Sequence, residues 1–183
     1  MSKAAAASLL LLLFATAAPA QSRRREPAVP ADAASVESIV AAYYAAIGHA
    51  PDAAPDFERL RGIFLYVGMI IPPKKPGEDF AVGDVDQFEE RSAKAAAAEK
   101  QKGQVRGRIE REIARRTDCF GNLCQVFSTF EARHTASDAA PFERGVRSFQ
   151  LLRDGKRWWI ASDSWEIETS DNPIPAAYLP ASR

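Results

Sequence analysis

VRSFQLLRDGKRWWIASDSWEIE, residues 146–168, decides the fold. Two runs rich in aromatic and β-branched residues, Val146 to Arg153 and Lys156 to Glu168, flank Asp154-Gly155. That dipeptide suits a two-residue type I′ turn, whose central residues need φ > 0, so the stretch reads as an antiparallel hairpin. Side chains alternate along a strand, so Phe149, Leu151, Trp158 and Ile160 share one face, and Leu152, Trp159, Ala161 and Trp165 the other. Both faces are apolar, and the one turned away from any covering helix is expected to pack as well.

Upstream, a second hairpin runs from Arg106 to Phe120 and back from Leu123 to His134. Its turn is Gly121-Asn122, with glycine first as type II′ prefers. Counting outward from a Phe120–Leu123 pair puts Ile109, Ile113, Arg115, Cys119, Cys124, Val126, Ser128 and Phe130 on one face, the better one to lie under helices. Glu110, Glu112, Phe120, Leu123, Phe127 and Glu131 fall on the other, which is expected to meet water or a partner subunit. This register sets Glu112 opposite Glu131, a like-charge pair. Such a pair has two readings: acid/base chemistry, because mutual repulsion favours keeping one carboxyl protonated, or a surface network compensated by neighbouring arginines. The network is preferred, since no other catalytic group lies near. Cys119 and Cys124 become the non-hydrogen-bonded pair beside the turn, where a disulfide or two buried thiols are the alternatives.

Ahead of the hairpins the chain reads as cover for one side of the sheet. Val36, Ile39, Val40, Tyr43, Tyr44 and Ile47 mark one helix face, with Ser35 to cap its start and Gly48 to end it. Asp56 caps a short helix carrying Phe57, Leu60 and Ile63. FLYVGMII, residues 64–71, is a β-like run closed by Pro72-Pro73. Asp84 and Gln87 resemble a capping box opening a helix that runs to Lys102, alanine-rich in its second half. Residues 1–20, with an apolar run from Ala4 to Ala18 and Ala18-Pro19-Ala20 as cleavage site, read as a signal peptide, with a membrane anchor as the alternative. Residues 21–34 read as a flexible leader, 35–170 as one domain and 171–183 as an irregular tail that either drapes Ile174, Tyr178 and Leu179 over the domain or is disordered.

Cleavage leaves 23 Lys and Arg against 24 Asp and Glu, a formal charge of −1. A near-neutral chain lacks the basic face that neutralises phosphates, so no nucleic-acid partner is expected. The spacings of two His and two Cys match no zinc pattern, and neither a nucleophile elbow nor a phosphate loop occurs, so no metal and no cofactor is expected. His49 and His134 are read as solvated or structural. The chain is placed in the periplasm or outside the cell, without a membrane partner after cleavage.

N-terminal helices followed by an antiparallel meander that ends in Ser148 to Ile160 resemble the nuclear transport factor 2-like superfamily, including SnoaL-like domains, with Tyr43, Tyr44 and Phe120-Gly121-Asn122 in support. The resemblance spans about Val36 to Glu168. It implies an α+β, cone-shaped fold in which N-terminal helices pack on a curved antiparallel β-sheet around a pocket, and a homodimer formed through the outer sheet face. Enzymes and non-catalytic binding domains share that fold, so it leaves function open. On the faces assigned above, Tyr43, Tyr44, Phe64, Ile113, Arg115, Ser128 and Phe130 line the pocket, and no acid does. A protein that binds a small, partly apolar ligand or self-associates is therefore expected, and an isomerase, dehydratase or hydrolase using Glu112 and Glu131 is the alternative.

Overall fold

The computed structural model describes residues 30–180. The expected signal peptide and most of the expected leader lie outside the described residues. Within the leader, Pro30–Ala33 form a 3-10 turn, and Asp32 there receives both Nε and Nη2 of Arg59, each at 2.8 Å.

Three helices follow the apolar pattern of the sequence: α1 (Val36–Ile47), α2 (Phe57–Ile63) and α3 (Val85–Gln101). Ser35 and Ser38 cap α1 reciprocally, and the expected face from Val36 to Ile47 is buried. Asp84 and Gln87 do the same for α3, where Val85 is buried and the alanine-rich second half is exposed. Arg61 fastens α3 to α2 through Asp86 at 2.7 Å and through Glu89.

The strands β1 (Phe64–Ile71), β2 (Ile109–Phe120), β3 (Leu123–Arg133), β4 (Glu143–Arg153) and β5 (Trp158–Ile167) form one sheet in the order β1-β5-β4-β3-β2. The expected meander β2 to β5 is antiparallel, but the FLYVGMII run joins it as an edge strand parallel to β5, so the sheet is mixed. Helices lie on one face and the C-terminal segment on the other. Gly121 has φ 59°, as the first position of a type II′ turn requires. The second turn differs from expectation. Pairing stops at Arg153 and Trp158, and Asp154 Oδ1 accepts from the backbone N–H of Lys156 and Arg157 at 2.8 and 2.9 Å, which stabilises a four-residue loop instead of a type I′ turn.

Two β-bulges overturn the expected faces. In β2, Ile113 is an extra residue: Ala114 pairs with Thr129 as counted from the turn, but Glu112 pairs with Phe130 and Arg111 with Glu131. In β5, Ala161 is extra, so Leu151 pairs with Ile160 but Phe149 with Asp163 and Arg147 with Trp165. One added residue flips every side chain beyond it. The flip turns Glu110 and Glu112 inward and leaves Glu131 outward beside Arg111, so the expected Glu112–Glu131 pair does not exist. It also moves Trp165 from the outer face to the inner one, against Arg147.

Candidate functional site

Beneath α1 the inner sheet face carries charge. Arg147 is 2% exposed, with Nη1 donating to Asp163 Oδ2 at 2.9 Å and Nη2 to both Glu110 oxygens at 3.1 and 3.3 Å. The Tyr43 hydroxyl donates to Asp163 Oδ2 at 2.6 Å, and Arg108 Nε to Glu110 Oε1 at 2.6 Å. Arg108 also pairs with Glu143. The Arg147 guanidinium is enclosed by three rings, with centroids of Trp165, Tyr43 and Phe130 at 4.3, 4.9 and 4.9 Å. Phe130 reaches it across Gly145, where a Cβ would stand 2.8 Å from the ring.

Environment sets the two acids apart. Burial works against the Glu110 carboxylate, but the Arg147 and Arg108 guanidiniums outweigh it and hold its pKa below the usual range. Burial dominates at Asp163 and pushes its pKa up, although Arg147 and the Tyr43 hydroxyl oppose the shift. Asp163 Oδ1 and Arg147 Nε have no hydrogen-bond partner among the described residues. Burial likewise drives the Tyr43 hydroxyl well above its ordinary pKa.

A second chain runs alongside. Ser128 donates to Glu112 Oε1, so the Tyr44 hydroxyl, 2.8 Å from Ser128 Oγ, is the donor to Ser128. Arg115 clasps Glu112 through Nε at 2.9 Å and Nη2 at 2.6 Å. Glu131, outside, takes Arg111 and Arg133 at 2.7 and 3.0 Å.

Of the residues expected to line a pocket, Tyr43, Tyr44, Phe64, Ser128 and Phe130 come together, but as packed core. Arg115 is half-buried at their edge, and Ile113 is the bulge residue. Tyr44 also borders an open cleft of about 680 Å³ between the C-terminal end of α1 and the start of β2. Its walls are mostly apolar, from Tyr44, Ala45, Pro51 and Ile109, with His49, Arg108, Glu110 and His134 among its polar groups. Local structure fixes that rim. His49 and Arg108 exchange two backbone hydrogen bonds of 2.8 Å, tying the loop after α1 to the strand. His134 stacks on Phe142 with centroids 4.0 Å apart, and the Arg108 guanidinium lies 5.3 Å from the same ring. Nδ1 of His134 donates to the Gly107 carbonyl at 3.1 Å, which leaves Nε2 to accept from Arg106 Nη1 at 3.3 Å. Among the described residues no cluster of His, Cys, Asp or Glu is arranged to hold a metal ion.

Arg108, Glu110, Arg147 and Asp163 escaped the sequence reading. Arg147 was within reach of it, since it sits two residues before inward Phe149. Glu110 and Asp163 were not, because each lies beyond a bulge.

Cys119 and Cys124 are joined in a disulfide. Across the outer sheet face lies the tail. Tyr178 packs edge-on against Phe127 at 5.4 Å and under Arg116 at 5.5 Å, its carbonyl accepts from Thr129 Oγ1, and Ile174 is buried. A cleft of about 370 Å³ remains between the tail and the sheet. No helix among the described residues is long and apolar enough to cross a membrane.

No family model and no curated protein matches the chain. Solved structures do. An NTF-2-like protein of unknown function from Silicibacter pomeroyi DSS-3 is 19% identical with a TM-score of 0.48, covering 74% of this chain and 94% of that one. A protein of unknown function with a cystatin-like fold from Nostoc punctiforme PCC 73102 is 12% identical with a TM-score of 0.48, covering 63% and 78%. An NTF2-like protein of unknown function from Methylobacillus flagellatus KT is 14% identical with a TM-score of 0.43, covering 74% and 95%. With helices on one face of an open sheet, the chain has the α+β architecture expected from its sequence.

Proposed function

We propose that this chain is an exported, non-catalytic domain that binds a small, partly apolar ligand in the cleft between α1 and β2. The observation that carries the reading is where the charges lie. The acids beneath α1, Glu110 and Asp163, have side chains no more than 1% exposed and are paired with Arg147, Arg108 and Tyr43, so neither is a free acid or base, even where Glu110 borders the cleft. The accessible concavity instead offers apolar walls with a few convergent polar groups, the usual make-up of a ligand site, and its volume is ordinary for one. The disulfide agrees with an oxidising compartment, which supports export to the periplasm or beyond.

The test is ligand-observed NMR with a set of small alkyl and aromatic compounds, run on the parent and on Ala45→Trp. Ala45 is exposed on α1 and borders the cleft, so the indole fills it without entering the core. Binders that the parent retains and Ala45→Trp loses are expected. Binding unaffected by the indole sinks the reading.

A second reading, an enzyme, rests on Glu110 and His134 bordering the same cleft. It is the weaker one. Glu110 is held ionised between two guanidiniums and makes a poor acid and a poor base, and the lone pair of His134 already takes the Arg106 N–H. A Glu112–Glu131 mechanism has no geometric basis, since the bulge at Ile113 puts the two on opposite faces.

A further inference from the structure

We infer that the ligand of this cleft is a small apolar monocarboxylate, aliphatic or aromatic, whose carboxylate is received by Arg108, which lines the cleft, and by Arg106, which bonds the lining residue His134. The inference rests on reading the cleft as a ligand site.

Donor accounting points to an anion. Arg108 spends Nε on Glu110 and Nη2 on Glu110 and Glu143, while Nη1 has no acceptor among the described residues. Among the described residues Arg106 makes one polar contact, Nη1 to His134 Nε2 at 3.3 Å, and pairs with no carboxylate. That bond takes one N–H of Arg106 and leaves the others available. A guanidinium presents a planar fork that matches a carboxylate, and the pair is stronger than a neutral hydrogen bond. The other polar groups nearby are occupied. His49 Nδ1 lies 3.0 Å from the Ala50 carbonyl, and the Asp138 carboxylate beside His134 accepts from the backbone N–H of His134 and Thr135 at 2.9 and 3.2 Å.

The same surroundings limit the charge to one. Glu110 and Glu143 both contact Arg108, and each repels a second negative charge on the ligand, so a monoanion is favoured over a dianion such as a phosphate monoester. Arg108 is placed for this task. Its backbone is bonded to His49 and its guanidinium lies 5.3 Å from the Phe142 ring that stacks on His134, so little ordering is left to be done on binding. The Tyr44, Ala45, Pro51 and Ile109 walls receive the apolar part.

Octanoate, octanol, octylamine and octyl phosphate, titrated by NMR into the parent, Arg106→Gln and Ala45→Trp, test it. Arg106 is exposed and outside the buried network, so its variant folds. The expected result is that octanoate binds the parent about tenfold more tightly than octanol, and that this preference weakens in salt and is largely lost in Arg106→Gln. Both binders disappear in Ala45→Trp. Equal binding of octanoate and octanol, each lost in Ala45→Trp, overturns the carboxylate and leaves the cleft standing. Tighter binding of octylamine or octyl phosphate overturns it too, as does an octanoate preference untouched in Arg106→Gln. Octanoate held equally by Ala45→Trp, or no binding of any probe, overturns the cleft reading and this inference together.

Discussion

Arg147→Met asks how much of the fold hangs on one buried cation. Methionine keeps most of the volume among Trp165, Tyr43 and Phe130, but it removes the donors at 2.9 Å from Asp163 and at 3.1 and 3.3 Å from Glu110. Breaking a buried ion pair from one side costs about 3–5 kcal/mol, because the partner charge stays behind unpaired. The three-ring enclosure of a desolvated guanidinium adds about 2 kcal/mol. Glu110 retains Arg108 and Asp163 retains the Tyr43 hydroxyl, which places the expected loss near 5 kcal/mol, a large share of the roughly 5–15 kcal/mol that holds a domain together. Urea denaturation followed by Trp fluorescence reads it as a midpoint lowered by about 2 M.

The loss depends on pH in a direction that packing damage does not reproduce. Without Arg147 the folded-state pKa values of Glu110 and Asp163 rise above their unfolded values, so the folded variant binds protons that the unfolded chain releases. Its deficit is therefore smaller near about pH 5 than near about pH 8. The parent behaves differently. Its Glu110 has a lowered pKa, so that contribution is present above the unfolded value and lost as pH falls through the folded one. Asp163, with a raised pKa, contributes in the opposite sense, its share present below the unfolded value and lost as pH rises. Replacing all three charges, as Arg147→Met with Glu110→Met and Asp163→Leu, removes the stranded acids and restores more than half of the loss. A deficit under about 1 kcal/mol in the single variant, or one equal at both pH values, refutes the reasoning.

Three further outcomes follow from other parts of the fold. Replacing Cys119 and Cys124 together by alanine lowers stability by about 2 kcal/mol in the chain-entropy picture, and the unfolded, unreduced parent titrates no free thiol. Gly145→Ala drives a Cβ to 2.3 Å from the Glu166 carbonyl and 2.8 Å from the Phe130 ring, so thermal unfolding shows a loss of about 1–3 kcal/mol. Truncation after Thr169 strips Tyr178 and Ile174 from Phe127 and its neighbours, and sedimentation velocity then shows stronger self-association than the full chain; an unchanged distribution shows that the bared face is not adhesive.

Elements were legible where a local signal was strong. The cap at Ser35, the capping box at Asp84, the run FLYVGMII and the Gly121-Asn122 turn each announce a boundary that the structure keeps within a residue or two. Asp154-Gly155 misled because the Asp154 side chain caps the loop from within, a contact that competes with the backbone geometry usually favoured by that dipeptide. The tail was left between two states, and what settles it, Tyr178 against Phe127 and Arg116, joins residues far apart in the chain.

Faces were less legible than elements, and the reason lies in the period of a strand. Alternation carries a face assignment outward from a turn without loss until one residue is added, and then every later assignment inverts. Ile113 and Ala161 look like ordinary strand residues, so nothing local marks either as extra. The mark is a cost elsewhere. Uninterrupted alternation buries Arg147, two residues from Phe149, with no acid opposite it, and leaves Glu112 facing Glu131. Both are expensive, and the two bulges relieve them by bringing Glu110 and Asp163 to Arg147 and sending Glu131 to Arg111. A buried arginine without a partner in the assumed register was thus evidence that the register breaks, and the acids that answer it had to come from strands β2 and β5 on either side of β3 and β4. The bulges therefore draw Glu110 and Asp163 under α1 to Arg147 and leave Arg108 and His134 among the polar groups that line the cleft.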